Sequence, residues 1–288
     1  MSISLNGLEF VQVESTTTVM GTTKGGWVYA GQRPCYEAKT PTFYVMPSPL
    51  TDGEVANAMG VNGDGDEQQR ATETLTSLEL CELADHLMKS PAFDEAVNQL
   101  GGQWELRGLT QAEWRAARDQ NVLLLENGLT ERLADAPSSN NRGAMMDGRP
   151  RPNELLGPAA AQSAAIAVHP RNETITAMTS VPLDRPLPKV VARLAFTPVR
   201  TEEPKRVPEN TDRWKNVRSE LLWTTLLGIV PSFLIPVLRG MGDYATEGWV
   251  NLLFGGLCAG FFTGAIWRPR RPVLRYDEVE SSSMSVAQ

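Results

Sequence analysis

The sequence predicts an α+β domain followed by two transmembrane helices, and three observations carry that prediction. Helical signals are few and are separated by loop-rich segments with strand-like alternation, which fits α+β better than a doubly wound sheet. Two runs near the C-terminus, 221–238 and 249–267, contain no charged residue. Hydrophobic residues make up 41% of the 288, yet their unbroken runs lie at that end, leaving residues 1–200 comparatively polar.

The elements follow in order. "LEFVQVESTTTVMG" (8–21) alternates apolar and polar residues as a half-buried strand does, and "PTFYVM" (41–46) reads as another. In "SLELCELADHLMKS" (77–90), Leu80, Leu83, Ala84 and Leu87 share one helical stripe, with Cys81 and Met88 along its edge. On that reading Cys81 is a buried core thiol. "LTQAEWRAARD" (109–119) is a second helix. Its Thr110 and Glu113 form a capping box, Ala112, Ala116 and Ala117 favour helix, and Trp114 is the large group that anchors it. The stretch 137–160 is polar loop, and "KVVARLAFTPV" (189–199) reads as a closing strand. Residues 201–219, charged and with two prolines, read as a linker. The boundaries that result are 1–200 for the soluble domain, 201–219 for the linker, 220–268 for a membrane hairpin and 269–288 for a disordered tail.

Each apolar run spans roughly 27 Å as a helix, close to the ~30 Å hydrocarbon core of a bilayer. Lys205, Arg206, Arg213, Lys215 and Arg218 precede the first run, and Arg268, Arg270, Arg271 and Arg275 follow the second. The link "RGMGDYATEG" (239–248) holds only Arg239 against Asp243 and Glu247, so the positive-inside rule places both termini in the cytoplasm. Trp223, Trp249 and Trp267 stand near the run ends, where interfacial tryptophan is common. Pro231 and Pro236 predict a kink in the first helix. Gly256, Gly260 and Gly264 line one face of the second and admit a close helix, either the preceding one or one from a second copy of the chain. No ionisable residue lies within either run, so a proton relay or transport path has no support and the hairpin reads as an anchor. Lipid is thus one expected partner.

Charge and cysteine content narrow the classes further. A net charge of -7 argues against nucleic acid as a partner. Cys35, Cys81 and Cys258 are far apart and contain no CxxC, which suits a reducing compartment and suggests neither a zinc site nor a disulfide framework. The opening "MSISLNGLEFVQVE" lacks the basic and apolar regions of a signal peptide.

The order of these pieces resembles the formylglycine-generating enzyme family, also called the sulfatase-modifying factor family, which has a C-type-lectin-like fold. Leu109, Thr110, Ala112, Glu113, Trp114, Ala116, Ala117 and Arg118 match the frame of the family string Leu-Pro-Thr-Glu-Ala-Glu-Trp-Glu-Tyr-Ala-Ala-Arg. Met20 and Gly21 stand where family members carry Met-Gly after an early strand, "QRPCYEAKTPTFYVMPSPLTDGEVANAMG" (32–60) follows the next segment in outline, and "VARLAFTPVR" (191–200) is a loose counterpart of the closing Gly-Phe-Arg-Leu strand. The resemblance covers residues 8–200 and implies Thr110, Glu113, Trp114 and Arg118 as structural motif residues.

The departures bear on activity. The resemblance implies a copper-binding cysteine pair in the C-terminal half of an active member, and between Trp114 and the linker this sequence has no cysteine. A soft metal such as Cu(I) wants thiolates, which alanine and serine cannot replace. The family's Gly-Asn-Val-Trp-Glu-Trp segment has no match, "PNELLGPAAAQSAAIAVHP" standing in its place. The His-x-x-x-His-x-Glu set of the iron-dependent branch is also missing, since His86 and His169 are the only histidines. A degenerate, non-catalytic member is therefore expected: a membrane-anchored binding or scaffold protein, with no catalytic residues and no cofactor. The alternatives are an oxidoreductase with a relocated site, Cys35 being its one plausible soluble thiol, and a structural subunit of a membrane complex packing through the glycine face.

Three further patterns have weaker content. In "NGDGDEQQRATE" (62–73), Asn62, Asp64, Asp66 and Glu73 hold calcium-loop spacing, but Glu67 occupies the position that needs glycine, so a solvated acidic loop is favoured over calcium. In "NNRGAMMDGRPRPN" (140–153), Asn141, Arg142, Arg149, Arg151 and Asn153 are candidate ligand-binding residues, for a protein or small molecule the sequence does not specify. Asn172 opens an Asn-Glu-Thr sequon, irrelevant to a cytoplasmic domain.

Overall fold

The computed structural model describes residues 1–60, 71–125, 128–169, 175–210 and 212–279. The loop 62–73 therefore lies largely outside the described residues, as do Asn172 and the last nine residues. The chain forms two compact units, one of residues 1–19, 37–138 and 144–206, the other of residues 20–36, 139–143 and 207–288. Residues 20–36 and 139–143, inside the 1–200 range, thus group with the C-terminal part.

The first unit is mixed α+β. A five-stranded sheet runs in the order β1 (Ser2–Leu5), β2 (Leu8–Val13), β5 (Phe43–Val45), β11 (Leu194–Pro198), β6 (Trp104–Gly108). A four-stranded sheet runs β10 (Val190–Val191), β7 (Thr130–Arg132), β8 (Gln162–Val168), β9 (Ile175–Pro182), and β3 (Thr16–Met20) pairs with β4 (Tyr36–Thr40). Strand periodicity divides the core in two. Along β5 and β11, Tyr44, Leu194 and Phe196 join one cluster while Phe43, Val45 and Ala195 join another. The first cluster is closed by Leu80, Leu83, Ala84 and Leu87 of α2 (Ser77–Leu87) and Phe93 of α3 (Pro91–Leu100). The second is closed by Trp114, Ala116 and Ala117 of α4 (Gln111–Asp119) together with Leu133, which follows β7, and Ala164 and Ile166 of β8.

Helix starts obey local rules. Thr51 and Glu54 at α1 (Asp52–Ala58), Thr76 and Glu79 at α2, and Thr110 and Glu113 at α4 each form a complete capping box. Cys81 is exposed, against the sequence expectation. One residue beyond Leu80 turns about 100° around the helix and off the buried stripe. Trp114 is fully buried, and its indole N–H donates to Glu131 Oε2 at 2.8 Å. Arg193 donates to the same carboxylate at 2.6 and 2.9 Å and to the carbonyls of Met46, Pro47 and Leu124, so this buried charge is paired and bonded as its burial requires.

In the second unit, α5 (Arg213–Thr224), a π turn at Thr225–Ile229 and α6 (Val230–Leu238) form one continuous helix, followed by α7 (Gly242–Glu247) and α8 (Trp249–Ile266). The helices Arg213–Leu238 and Trp249–Ile266 are long and apolar enough to cross a membrane. The π turn, in which the Val230 N–H reaches the Thr225 carbonyl, ends just before Pro231, a residue with no N–H to continue the ladder. Gly256, Gly260 and Gly264 are buried, and the first two face the preceding helix. A Cβ on Gly256 would lie 2.7 Å from Ser232 Oγ, and one on Gly260 would lie 2.7 Å from Thr224 Cγ2.

The stretch 201–219 is ordered at both ends. Lys205 O accepts from Met146 N, and Asp212 caps a helix that already runs from Arg213. The described part of the tail is held as well, with Arg271 N donating to Thr23 O and Leu274 N to Cys35 O.

Candidate functional site: an arginine-walled cavity

The site grows out of the α4 cap. Glu113 is fully buried, and its Oε2 accepts from the Thr110 N–H at 3.0 Å. The same carboxylate takes a bidentate pair of 2.8 Å bonds from Arg107 on β6, whose Nε donates to Glu105 at 2.9 Å. Burial works against both charges, but each outweighs it for the other. Arg107, helped by the Thr110 N–H, holds the Glu113 carboxyl below the usual range, and Glu113 and Glu105 raise Arg107. One carboxylate thus caps a helix and fixes a guanidinium.

Beside this pair the loop after Met145 turns through Asp147 and Gly148. Gly148 has φ +76°, and a Cβ there would lie 3.0 Å from Thr40 Cγ2 and 3.3 Å from Arg200 Nη2. Glycine is therefore required twice, by its left-handed backbone and by the close approach. Asp147 accepts from the Arg149 N–H at 3.1 Å and makes ion pairs with Arg149 Nε at 3.0 Å and Arg200 Nη1 at 3.7 Å. Neither ion pair has hydrogen-bond geometry. Arg149 Nε and both terminal nitrogens of Arg200 are buried with no hydrogen-bond acceptor among the described residues. Burial lowers the Arg200 pKa, partly offset by Glu113 and Asp147.

These groups surround a cavity of about 340 Å³ walled by Arg107, Arg149, Arg200 and Arg206, with Glu105 the one carboxylate side chain in its wall among the described residues. Pro150, Pro152, Pro198 and Pro204 supply much of the remaining wall, and fixed φ angles limit how far it can relax. Among the described residues the wall offers guanidinium donors and no thiol, hydroxyl or amine nucleophile. Its chemistry is recognition of an anion, with planar donors suited to carboxylate, sulfate or phosphate oxygens. Among the described residues no group of three or more His, Cys, Asp or Glu side chains could hold a metal ion.

The five candidate ligand residues are dispersed. Arg149 is in the cavity wall. Arg151 serves through its backbone N–H, which donates to Asp135 at 2.7 Å. Asn153 donates to Ala160 O at 2.7 Å. Asn141 and Arg142 belong to the second unit, where Asn141 Nδ2 donates to Gln32 O and Pro34 O at 3.1 Å each. Of the motif residues, Thr110, Glu113 and Trp114 are buried as described, and Arg118 lies 5.7 Å over the Trp114 ring. Arg107, Arg200 and Arg206 are absent from the sequence-based set. For Arg200 and Arg206 the one sequence signal is the density of charge and proline in "TPVRTEEPKR" (197–206), which a linker shares, and Arg107 in "WELRG" (104–108) carries no such signal. Cys35 is 2% exposed with its thiol pushed up by burial, the opposite of a reactive thiolate.

No family model and no curated protein matches the chain. Among solved structures, it is similar to PvdO from Pseudomonas aeruginosa, with 14% identity over 68% of this chain and 98% of that one and a TM-score of 0.49. It is also similar to Treponema denticola variable protein 1 (11% identity, 69% and 99% covered, TM-score 0.47) and to CarF (10% identity, 66% and 98% covered, TM-score 0.39).

Proposed function

We propose that this chain is a membrane-anchored, non-catalytic binding protein, built on a sulfatase-modifying-factor-type domain of C-type-lectin-like fold, whose arginine-walled cavity takes an anionic group of a ligand. The observation that carries the reading is the set of four guanidinium groups around one cavity, including two Arg200 nitrogens with no hydrogen-bond acceptor among the described residues. Buried guanidinium N–H groups without hydrogen bonds are costly even where an ion-pair partner such as Asp147 stands 3.7 Å away, and an anion's oxygen is one acceptor that would relieve them. The family assignment rests on the Leu109–Arg118 frame, which folds as a capped helix around a buried tryptophan. The anchor reading is supported by the outward exposure of the two apolar helices. Phe254 and Phe262 are each 68% exposed, whereas a soluble core helix would bury such residues. With the basic flanks on one side, both termini and the soluble unit face the cytoplasm on this reading.

The competing readings gain less. The oxidoreductase reading places its reactive thiol at Cys35, which is buried, and at the exposed Cys81 burial and then Asp85 and Glu82 push the thiol up, away from a reactive thiolate. A subunit packing through its glycine face would need that face free, and Gly256 and Gly260 already meet the preceding helix.

The test is calorimetric titration of the full chain in detergent with inorganic phosphate, sulfate and succinate. Saturable binding of one of them is expected. Arg206→Ala, on the cavity rim, should weaken it about 10-fold, the order of one charge-assisted hydrogen bond. Absence of saturable binding to all three, or an undiminished affinity in both Arg206→Ala and Arg149→Ala, overturns the reading.

A further inference from the structure

Within the second unit, residues 20–36 lie along the end of α8, and glycine permits the contact. A Cβ on Gly25 would stand 2.6 Å from the Arg268 carbonyl oxygen, and one on Gly26 would stand 2.7 Å from that of Ala265. The 3₁₀ turn Trp27–Gln32 begins at that point. The Trp27 ring meets the Phe261 ring edge-on at 4.8 Å, with the Arg268 guanidinium 5.7 Å from it. Phe261 stands five residues before the helix end at Ile266, so Trp27 reaches down the helix by roughly 7 Å. That depth lies inside the uncharged run, whose outer surface is apolar: Leu257, Phe261 and Phe262 are all exposed.

Val28, the next residue of the turn, is 66% exposed. The polar residues of the segment stand to either side of this pair. Lys24 lies 4.8 Å over the Tyr29 ring, and Arg33 Nη1 donates to Gly25 O at 3.0 Å. Arg33 has Arg271 and Arg142 for neighbours. After burial, the charge of Arg271 does most to lower its proton affinity, Glu220 partly restores it, and Arg142 lowers it again. Glu220 already pairs with Arg268 at 2.9 Å. An apolar tip flanked by cations, set against the end of a span-length apolar helix, is the arrangement of an interfacial membrane contact.

We propose that residues 24–33 form a third membrane contact, in which Trp27 and Val28 enter the apolar edge of the bilayer while Lys24, Arg33 and Arg271 meet the phosphates of acidic phospholipids. The inference rests on the reading of the two helices as membrane-spanning. It adds that the segment between β3 and β4 touches lipid itself.

The experiment uses the full chain reconstituted into vesicles of phosphatidylcholine with and without phosphatidylglycerol. Nitroxide labels go on Val28→Cys, Phe254→Cys and Met178→Cys, with Cys81 and Cys258 replaced by serine and alanine and the buried Cys35 left in place. Accessibility to oxygen against a water-soluble nickel chelate reads the depth of each label. The Phe254 label should be deep, the Met178 label aqueous and the Val28 label shallow but oxygen-favoured. The Val28 ratio should fall at least two-fold without phosphatidylglycerol or with Arg33→Gln and Arg271→Gln combined. An aqueous Val28 beside a deep Phe254 overturns this inference alone. An aqueous Phe254 overturns the membrane reading beneath it. Spin–spin broadening at Val28 that disappears on dilution with unlabelled protein would put a second copy there in place of lipid.

Discussion

Arg268 Nε lies 2.9 Å from Glu220 Oε2, joining the residue just beyond α8 to the middle of α5. The guanidinium is nearly dry, its side chain 3% exposed, and it also donates to Thr224 Oγ1 and Gly260 O at 3.3 Å. The ion pair therefore closes the hairpin at the end opposite its link, where the glycine face allows the two backbones to meet.

Glu220→Ala should destabilise the hairpin by about 3 kcal/mol, the lower end for a broken buried pair, because Glu220 itself is 29% exposed. Glu220→Gln keeps an acceptor and should lose less. Thermal unfolding in detergent checks both. Equal midpoints for the parent and Glu220→Ala would mean that the pair adds nothing to the hairpin.

The Arg107–Glu113 pair permits a separation of cap from charge. Thr110→Ala removes the hydroxyl that caps the Glu113 N–H at 3.2 Å and bonds Gly148 O at 3.1 Å. It should cost about 1–2 kcal/mol. Glu113→Gln leaves a guanidinium facing an amide that cannot match two bonds, and should cost about 3–5 kcal/mol. Denaturant titration of the two variants should therefore rank Glu113→Gln well below Thr110→Ala.

Asp135 predicts a pH dependence. Its carboxylate accepts the Gln111 and Arg151 N–H groups at 2.6 and 2.7 Å, yet burial prevails and raises its pKa from 3.8 to about 6. A raised folded-state pKa favours the native state most below the unfolded value, and that advantage is lost as pH climbs through the folded one. Between pH 4 and pH 7 this residue should lower the unfolding free energy by about 2 kcal/mol, allowing for its partial exposure. Asp135→Asn faces one N–H with an amide NH₂ and should be less stable at pH 4, but its deficit should shrink toward pH 7. A deficit that grows over that range would reverse the assigned direction. Denaturation at three pH values decides it.

How much of this was legible depended on the range of the interaction. The Thr110–Glu113 capping box, the Leu80–Leu83–Leu87 stripe and the two apolar runs are local patterns, and they stand where the sequence put them. The β8–β9 hairpin was missed because Gln162–Val168 is alanine-rich and buried along most of its length, so neither propensity nor alternation marks it. The cavity was missed for a different reason. Glu105, Arg149, Arg200 and Arg206 come together only through sheet pairing and the return of the chain after β11, and a charged, proline-rich segment looks the same in a linker and in a wall. Arg149 alone was reachable, as one basic residue in a polar loop.

The exposure of Cys81 and the burial of Cys35 give the topology a direct test. In cells, a membrane-impermeant maleimide should leave Cys81 unlabelled until the membrane is permeabilised, if the soluble unit faces the cytoplasm. Burial and then the neighbouring Asp85 and Glu82 raise the Cys81 thiol, so less thiolate is present at neutral pH and labelling belongs at about pH 8 or above. Cys35 serves as the internal control, since it should react only after denaturation. Reaction of Cys35 without reaction of Cys81 would contradict the placement of α2. Reaction of Cys81 in intact cells would invert the membrane orientation, and the arginine-walled cavity would then face ligands outside the cell.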